Sequence, residues 1–307
     1  MKGSAVATAY DVLVIGEGIS GLTAARRLAE AGIRTATLEA QLFGGLVVNV
    51  NELDPSPAAH GVSGAEYAAE LMQANAELGV ESIQEPVTGI RTDGAVLEVV
   101  TEGTVRSARH VIVASGAKLK RLGIPGEQEF EGRGVSQCAD CDGPMYQGET
   151  VAVVGGGDSA LQEALVLAQY CDKVYLVHHR DTYGARSDYI EKVGENSKIV
   201  PVFNATLSAI SGDNMVNGVT LRHNDGRTEP LACAGVFAYI GLVPNSDIVP
   251  AAVERDGAGC VRTNADFETA VPGLWAIGAV RSGYSGTLPD AVHEAERVAA
   301  AIRQRLI

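Results

Sequence analysis

The chain has few cysteines, no long apolar run and less positive than negative charge. Its 307 residues include five cysteines, an odd and low number that does not suit the disulfide framework of a secreted protein. No run of about 18 apolar residues is present, so we expect no membrane-spanning helix. The short polar stretch from Met1 to Tyr10 lacks the apolar core of a signal peptide. We therefore expect a cytoplasmic protein.

The charge balance excludes further classes of partner. The chain carries 24 Lys and Arg against 38 Asp and Glu, a formal net charge of −14. Nucleic acid and anionic membrane surfaces are themselves negative, so neither is expected as the main partner. A hydrophobic content of 46% with 20% charged residues is typical of a globular protein. The length is sufficient for two domains of ordinary size.

A glycine motif near the start has the context that dinucleotide binding requires. The apolar run Tyr10–Ile15 predicts a buried strand, and it leads into Gly16, Gly18 and Gly21, a helical pattern and a second strand that ends at Glu39. The three glycines would permit a tight turn, close approach of a pyrophosphate and close packing of helix on strand. The helix start offers free N–H groups to phosphate, and the carboxylate would accept from ribose hydroxyls. A glycine-rich turn without a ligand is the alternative.

A second strand–glycine–helix–strand unit lies in the middle of the chain. Here the strand Val151–Val154 runs into Gly155-Gly156-Gly157-Asp158-Ser159. Two such units predict two dinucleotides, or one used twice, and we interpret them as one flavin and one nicotinamide, each in its own domain. Where an NADH site would have an acid, this unit has His178-His179-Arg180. Because a 2′-phosphate prefers cations, this segment favours NADPH, the alternative being solvated loop residues.

Two cysteines three positions apart, Cys138 and Cys141, lie between the glycine motifs and are followed by Asp142. A lone Cys-x-x-Cys fits half of a zinc ribbon, a redox pair or two incidental cysteines. A zinc site needs further ligands at a similar spacing, but the other cysteines stand far apart and singly. These are Cys171, Cys233 and Cys260. We therefore expect no metal and favour a dithiol/disulfide pair, which stores two electrons.

The order of the elements predicts one domain inserted into another. The chain has a first β-α-β unit, then an insertion that carries the second β-α-β unit, and then a return strand and helix. The late strands are Pro230–Tyr239 and Gly273–Gly278. The predicted fold class is α/β, with two Rossmann-like three-layer dinucleotide-binding domains, the second inserted into the first. Residues 1–117 and 246–307 would form an FAD-binding domain. Residues 118–245 would form an NAD(P)-binding domain with the cysteine pair.

These motifs, in this order and spacing, resemble the low-molecular-weight thioredoxin reductases over essentially the whole chain. The motifs that carry the resemblance are Gly16-x-Gly18-x-x-Gly21, Ala114-Ser115-Gly116-Ala117, Leu122 to Glu127, Cys138-x-x-Cys141-Asp142-Gly143, Gly155 to Ala160 and Gly241-x-x-Pro244-Asn245. The resemblance implies a homodimer with FAD and NADPH, NADH being an alternative donor. It also implies a redox disulfide in the nicotinamide domain that reacts with thioredoxin, a thioredoxin-like protein or a small disulfide.

The resemblance also implies roles for residues at matching positions. Cys141 would face the flavin, Cys138 would attack the partner, and Asp142 would shuttle a proton, the alternative for Asp142 being a turn residue. The implied FAD contacts are Gly16, Gly18, Ser20, Gly21, Glu39, Ala40, Gly45, Gly116, Gly278 and Ala279. The implied NAD(P) contacts are Gly155, Gly157, Asp158, Ser159, His178, His179 and Arg180.

The chain departs from the family pattern at several of these positions. On the flavin side, Ala279 stands in place of an Asp, Leu46 in place of a Gln, and Ser285-Gly286 in place of Arg-Gln. On the nicotinamide side, His179 and Gly184 stand in place of arginines. We expect a flavoprotein disulfide reductase with an altered isoalloxazine environment. The alternatives are a ferredoxin-fed reductase without nicotinamide, an FAD-dependent dithiol oxidase and a non-catalytic redox sensor.

Overall fold

The structure is a computed structural model that describes residues 6–51, 53, 62–92 and 96–306, with only the backbone described for residues 6–9. The chain divides into two compact units. The first comprises Met1–Lys118 and Val243–Ile307, and the second comprises Leu119–Leu242. No helix in the described part of the chain is both long and apolar enough to cross a membrane.

The first unit is built on a seven-stranded sheet in the order β3-β2-β1-β6-β5-β4, with β17 also paired to β6. Its strands are β1 (Val6–Ile15), β2 (Thr35–Leu38), β3 (Glu81–Ile83), β4 (Val87–Arg91), β5 (Leu97–Thr101), β6 (Val105–Val113) and β17 (Leu274–Ala276). Its helices are α1 (Ile19–Glu30), α2 (Gly64–Glu77) and α6 (Leu288–Leu306). Strands β1, β2, β3, β6 and β17 are parallel, whereas β4 and β5 are antiparallel additions.

The central strands of this unit are apolar on both faces because both faces are covered. Val12 and Val14 pack with Leu28 of α1 and Val298 of α6, while Leu13 lies in a separate cluster on the opposite face. Continuous burial of this kind is typical of a parallel sheet between two layers. It explains why the run Tyr10–Ile15 does not alternate between apolar and polar residues.

The second unit has three layers of its own. A parallel sheet, in the order β11-β10-β9-β15-β8, has a helical layer on one face and an antiparallel sheet, β12-β13-β14, on the other. The parallel strands are β8 (Val135–Ser136), β9 (Thr150–Gly155), β10 (Lys173–Val177), β11 (Ile199–Val202) and β15 (Gly235–Tyr239). The antiparallel strands are β12 (Ala205–Gly212), β13 (Val216–His223) and β14 (Thr228–Ala232). The helices are α3 (Ala139–Asp142), α4 (Asp158–Tyr170) and α5 (Ser187–Glu195).

The two connections of the chain pair with each other. Strand β7 (Ala117–Leu119) and strand β16 (Leu242–Pro244) form a two-stranded sheet. Each unit has a sheet with parallel strands and covering helices, and the structure confirms the predicted α/β class with two Rossmann-like domains.

The element boundaries differ from the sequence prediction in two informative places. The run Pro230–Tyr239 is two strands, not one: β14 ends at Ala232 in the antiparallel sheet, and β15 begins at Gly235 in the parallel sheet. Burial alternates along β14 but is continuous for the first four residues of β15, which matches their different surroundings. The glycine, proline and charged residues of segment 118–134 predict a linker, but its Phe130 is buried in the core against the antiparallel sheet.

Candidate active site

The first glycine loop joins β1 to α1. Gly16 has a positive φ of 105°, and a Cβ there would lie 2.3 Å from the Ala114 carbonyl oxygen. A Cβ at Gly21 would lie 2.0 Å from the Gly16 carbonyl oxygen. By contrast, a Cβ at Gly18 would meet only the Gly44 carbonyl oxygen, at 3.9 Å. Gly16 and Gly21 are therefore required by backbone packing, whereas Gly18 leaves open space at the start of α1.

Two carboxylates lie beside this loop. Glu39, directly after β2, accepts hydrogen bonds from the backbone N–H groups of Glu17 at 2.9 Å, Ala40 at 2.9 Å and Gln41 at 3.0 Å. These bonds fix the carboxylate of Glu39 while leaving lone pairs for a further donor. Glu17 is only 1% exposed, and its Oε1 accepts from the hydroxyls of Thr37 at 2.5 Å and Ser82 at 2.6 Å. No local pattern points to Glu17, since its position within a glycine motif is variable and its hydroxyl partners lie on β2 and β3.

The other positions predicted to contact FAD lie at the same edge of the first sheet. Gly16 follows β1, Glu39 and Ala40 follow β2, Gly116 follows β6, and Gly278 with Ala279 follows β17. A Cβ at Gly278 would lie 2.5 Å from the hydroxyl of Ser20, and a Cβ at Gly45 would lie 3.5 Å from Cα of Gly18. The carboxyl ends of parallel strands are where ligands bind in such sheets.

Behind Gly278 the structure has a buried ion pair that sequence analysis missed. Glu294 of α6 is 4% exposed, and its Oε2 accepts from the Gly278 N–H at 2.8 Å. Its other oxygen pairs with Arg281, whose guanidinium lies over the ring of Phe267. Position 279 has no Asp side chain, and the loop that carries Ala279 is fixed instead by the pair of Glu294 and Arg281.

The second glycine loop joins β9 to α4 in the same way. A Cβ at Gly155 would lie 2.4 Å from the Tyr239 carbonyl oxygen, whereas Gly157 has no heavy atom within 4 Å of its Cβ position. At the start of α4, Asp158 accepts from the Arg186 N–H at 2.7 Å and is followed by Ser159. The space at Gly157 therefore corresponds to the space at Gly18 in the first unit.

The three residues at the end of β10 have different surroundings. His178 is buried, and a Cβ at Gly156 would lie 2.3 Å from its imidazole ring. Burial first, and then His179 and Arg180, lower the pKa of His178, which disfavours the cationic form of its ring. His179 and Arg180 are exposed. Of the three, these two are the side chains that can reach a ligand phosphate.

The cysteine pair forms a closed disulfide on a short helical turn. Cys138 and Cys141 have Cα atoms 5.3 Å apart, and Sγ of Cys138 accepts from the Cys141 N–H at 3.1 Å. Cys141 is exposed, while Cys138 and Asp142 are half-buried. Among the described residues, no group of three or more His, Cys, Asp or Glu side chains is arranged to hold a metal ion.

The remaining cysteines are unsuited to thiol chemistry. Cys171 and Cys233 are buried, and burial raises the pKa of their thiols to about 11 and about 12 respectively. Cys260 is half-buried, and burial also raises its pKa. Because the thiolate is the reactive form, the exposed pair is the chain's candidate redox centre.

A carboxyl group that sequence analysis missed lies beneath the cysteine turn. Oε2 of Glu163, on α4, accepts from the Ala139 N–H at 3.1 Å and from the Tyr239 hydroxyl at 3.2 Å. Burial first, and then Asp140, raise the pKa of Glu163 to about 7. No local spacing could have signalled this group, because its partners come from α3 and β15.

Two glycine loops at the carboxyl edges of the parallel strands, with a disulfide in the second unit whose Cys141 is exposed, are the features of a disulfide oxidoreductase. The family model for pyridine nucleotide-disulphide oxidoreductases matches residues 10–302. A thioredoxin reductase of Treponema pallidum is 39% identical over 277 residues, covering 90% of each protein. The chain belongs to the pyridine nucleotide-disulphide oxidoreductase family and, within it, to the low-molecular-weight thioredoxin reductases. It is therefore an oxidoreductase, as the sequence predicted.

Solved structures agree with this assignment. The thioredoxin reductase of Lactococcus lactis has a TM-score of 0.92 with 32% identity, covering 96% of this chain and 98% of that one. A ferredoxin-flavin thioredoxin reductase from Clostridium acetobutylicum has a TM-score of 0.53 with 26% identity, covering 97% of this chain and 98% of that one. The fold similarity to the first is the greater.

Proposed function

We propose that this chain is an NADPH-dependent flavoprotein disulfide reductase that acts on thioredoxin or a thioredoxin-like protein. The observation that carries the proposal is the combination of two open glycine loops with a disulfide whose Cys141 is exposed. Relatives named thioredoxin reductase support the choice of substrate. By the same resemblance we propose a homodimer that works in the cytoplasm.

The residues at the first loop fit FAD. The space at Gly18 and the N–H groups at the start of α1 suit a pyrophosphate, and Glu39 has lone pairs free for ribose hydroxyls. Ser20, Gly45, Gly116, Gly278 and Ala279 would line the remainder of the site. FAD, when bound, would accept a hydride from NADPH and supply two electrons to the disulfide.

The second loop fits NADPH. Gly157, Asp158 and Ser159 would receive the pyrophosphate at the start of α4, while His179 and Arg180 would contact the 2′-phosphate. His178 would act from behind the loop, by packing against Gly156, and not as a cation. NADH lacks the 2′-phosphate, so we expect it to bind more weakly than NADPH.

The cysteine pair would receive the electrons and pass them on. Cys141 is the more exposed residue, and Sγ of Cys138 accepts a hydrogen bond from the Cys141 N–H. In the proposed cycle the Cys138–Cys141 bond opens, Cys138 attacks the partner's disulfide, and Cys141 displaces the reduced partner. Asp142 would exchange the proton of the departing sulfur.

Anaerobic reduction of the purified protein tests this proposal. NADPH should bleach the visible flavin band rapidly, and NADH should do so more slowly. Cys138→Ser should abolish reduction of a thioredoxin disulfide while the flavin stays bound and is still bleached by NADPH. Cys260→Ser, a change at a half-buried cysteine outside the pair, is the matched control and should keep full turnover.

Two results would contradict it. A bound flavin that NADPH and NADH both fail to bleach would exclude a nicotinamide-driven reductase. Full turnover in Cys138→Ser would exclude the cysteine pair. The ferredoxin-fed reductase and the dithiol oxidase are not favoured by the comparisons, and bleaching by reduced ferredoxin or by a dithiol alone would be their signature.

A further inference from the structure

Glu163 is bonded directly to the backbone of the redox turn. Its Oε2 lies 3.1 Å from the backbone nitrogen of Ala139, the residue next to Cys138, and 3.2 Å from the Tyr239 hydroxyl. The Tyr239 oxygen lies 3.2 Å from the same nitrogen, so three polar groups meet at one point. Ala139 is fully buried, and the contact therefore lies behind the turn, on the side of the protein core.

The sequence places this carboxyl group at the margin of an apolar core. The neighbours of Glu163 on α4 include Ala160, Leu161, Ala164 and Leu167, all buried in the cluster between α4 and the parallel sheet. A carboxylate in such surroundings is costly unless it is hydrogen-bonded or protonated. Glu163 has two hydrogen-bond donors, which is sufficient to hold it in place but does not neutralise its charge.

The groups that face Glu163 are acidic or neutral. Asp140 approaches it from α3 and Tyr239 from β15, and with burial and the Ala139 N–H these determine its protonation. Burial and Asp140 raise the pKa of Glu163 to about 7, whereas the Ala139 N–H and the Tyr239 hydroxyl oppose that rise. Glu163 therefore changes its protonation state close to neutral pH.

We propose that Glu163 is a positioning residue of the redox pair, which binds a proton when the Cys138–Cys141 disulfide is reduced and releases it when the disulfide forms again. Reduction breaks the S–S bond, adds two electrons and one proton, and leaves one sulfur as a thiol and the other as a thiolate. Negative charge that develops on the turn disfavours the Glu163 carboxylate, so that group takes a proton from solvent. Oxidation reverses each step, and the electrons come from the flavin or, in a test, from a dithiol.

This role differs from that of a simple anchor. An anchor requires only an acceptor for the Ala139 N–H, and the amide oxygen of a glutamine would serve equally. A proton-exchanging group changes the number of protons taken up on reduction, which a glutamine cannot do. The inference rests on the proposed redox function of the pair, but it does not depend on NADPH or on any particular partner.

An equilibrium between the protein and the dithiothreitol couple tests it. The holoenzyme is equilibrated with reduced and oxidised dithiothreitol at pH values around 7, and the pair is scored by alkylation and mass spectrometry, with Cys171, Cys233 and Cys260 as internal references. In the wild type, the constant for reduction should fall by up to about tenfold more per pH unit than in Glu163→Gln, because one more proton is bound on reduction. The same pH slope in both proteins would overturn the proposal.

Two further variants make the test directional. Asp140→Asn removes a charge that raises the pKa of Glu163. The steep region, meaning the pH range in which the reduction constant falls fastest, should therefore move to lower pH. Tyr239→Phe removes a hydroxyl that lowers this pKa, so the steep region should move to higher pH. Glu149→Gln, an exposed acid of the same unit, is the matched control and should leave the region unchanged. Shifts in the opposite directions would contradict the proposal.

A spectroscopic measurement on the wild type keeps the inference testable if a variant misfolds. The infrared difference spectrum of reduced minus oxidised protein near pH 7 should show a gain of protonated carboxylic acid. No gain would overturn the proposal, whereas failure of NADPH to bleach the flavin would contradict only the proposed function. The two proposals can therefore fail separately.

Discussion

Two glycines of the first loop, Gly18 and Gly21, are needed for different physical reasons. A Cβ at Gly21 would lie 2.0 Å from a backbone oxygen of Gly16, and backbone cannot move aside as a flexible side chain can. Gly18 has a φ of −72°, which any residue adopts, and its nearest obstacle is 3.9 Å away. The fold therefore requires Gly21, whereas the proposed ligand requires Gly18.

We predict that Gly18→Ala and Gly21→Ala separate folding from flavin binding. Gly18→Ala should keep the unfolding free energy of the apoprotein within about 1 kcal/mol, because the added methyl group meets open space and only the helix cap changes. Its flavin affinity should fall at least tenfold, since the methyl group occupies the path of the pyrophosphate. Gly21→Ala should cost about 1–3 kcal/mol or more through overpacking. Chemical denaturation and flavin titration check both, and unchanged flavin affinity in Gly18→Ala would contradict the assignment.

Residues of the candidate site could be predicted from sequence only where they belong to a short motif with a fixed spacing. The glycines, Glu39 and the cysteine pair belong to short motifs whose spacing the backbone geometry fixes. Glu17, Glu163 and Glu294 have partners on distant strands and helices, so no window of the sequence reveals them. The prediction named His178, His179 and Arg180 together as nicotinamide contacts, and the burial of His178 against Gly156, which lies in another element, is not visible in that local motif.

At the scale of elements, apolar runs predicted buried strands well but not where one strand ends and the next begins. Strand β6 is a single element, although the alternation of residues 104–107 and the apolar run at 111–117 predict two strands. Its first half borders antiparallel β5 and its second half borders β17, so burial becomes continuous only in the second half. The pattern changes where the neighbours change, and neighbours are not visible in sequence.

A hydrogen-bonded cluster of Glu85, Thr101 and Arg106 joins the antiparallel strands β4 and β5 to β6 and makes the stability of this region depend on pH. Glu85, just before β4, bonds Arg106 of β6 through both carboxylate oxygens, each at 2.9 Å, and accepts from the Thr101 hydroxyl of β5 at 2.6 Å. Arg106 first, and then Thr101, hold the pKa of Glu85 at about 2, below its ordinary value of 4.5. A depressed pKa stabilises the folded state above pH 4.5, and this contribution is lost as the pH falls toward 2.

We predict that Glu85→Gln lowers stability at neutral pH and reduces the further loss on acidification. Unfolding of the first unit can be followed by Trp275, the chain's one tryptophan, which is fully buried in that unit. Denaturation midpoints between pH 4.5 and 2 should fall less steeply in Glu85→Gln than in the wild type. Glu98→Gln is the control, because its pair with Arg91 is 3.7 Å long and largely exposed. Equal acid sensitivity of Glu85→Gln and the wild type would exclude Glu85 as a source of that sensitivity.

At the scale of the whole molecule, the chain forms two units, each with its own hydrophobic core, and it passes between them twice. The second unit, Leu119–Leu242, has apolar clusters on both faces of its own parallel sheet. The chain passes between the units through β7 and β16, which are neighbouring strands and so lie about 5 Å apart. An inserted unit whose ends are adjacent does not depend on the host chain to close its topology.

We predict that residues 119–242, produced alone, fold cooperatively and bind NADPH with nearly the affinity of the whole protein. Glu163, Tyr239 and the cysteine turn all lie within this segment, so dithiothreitol should reduce its Cys138–Cys141 disulfide with the same pH slope as in the intact chain. NADPH alone should leave that disulfide intact, because the residues proposed to bind the flavin belong to the other unit. Calorimetry, thermal unfolding and alkylation check the three outcomes. If the isolated segment binds NADPH but loses the pH slope, the proton uptake assigned to Glu163 requires groups outside the second unit, whereas a segment without a cooperative transition would show that the host chain supports its core.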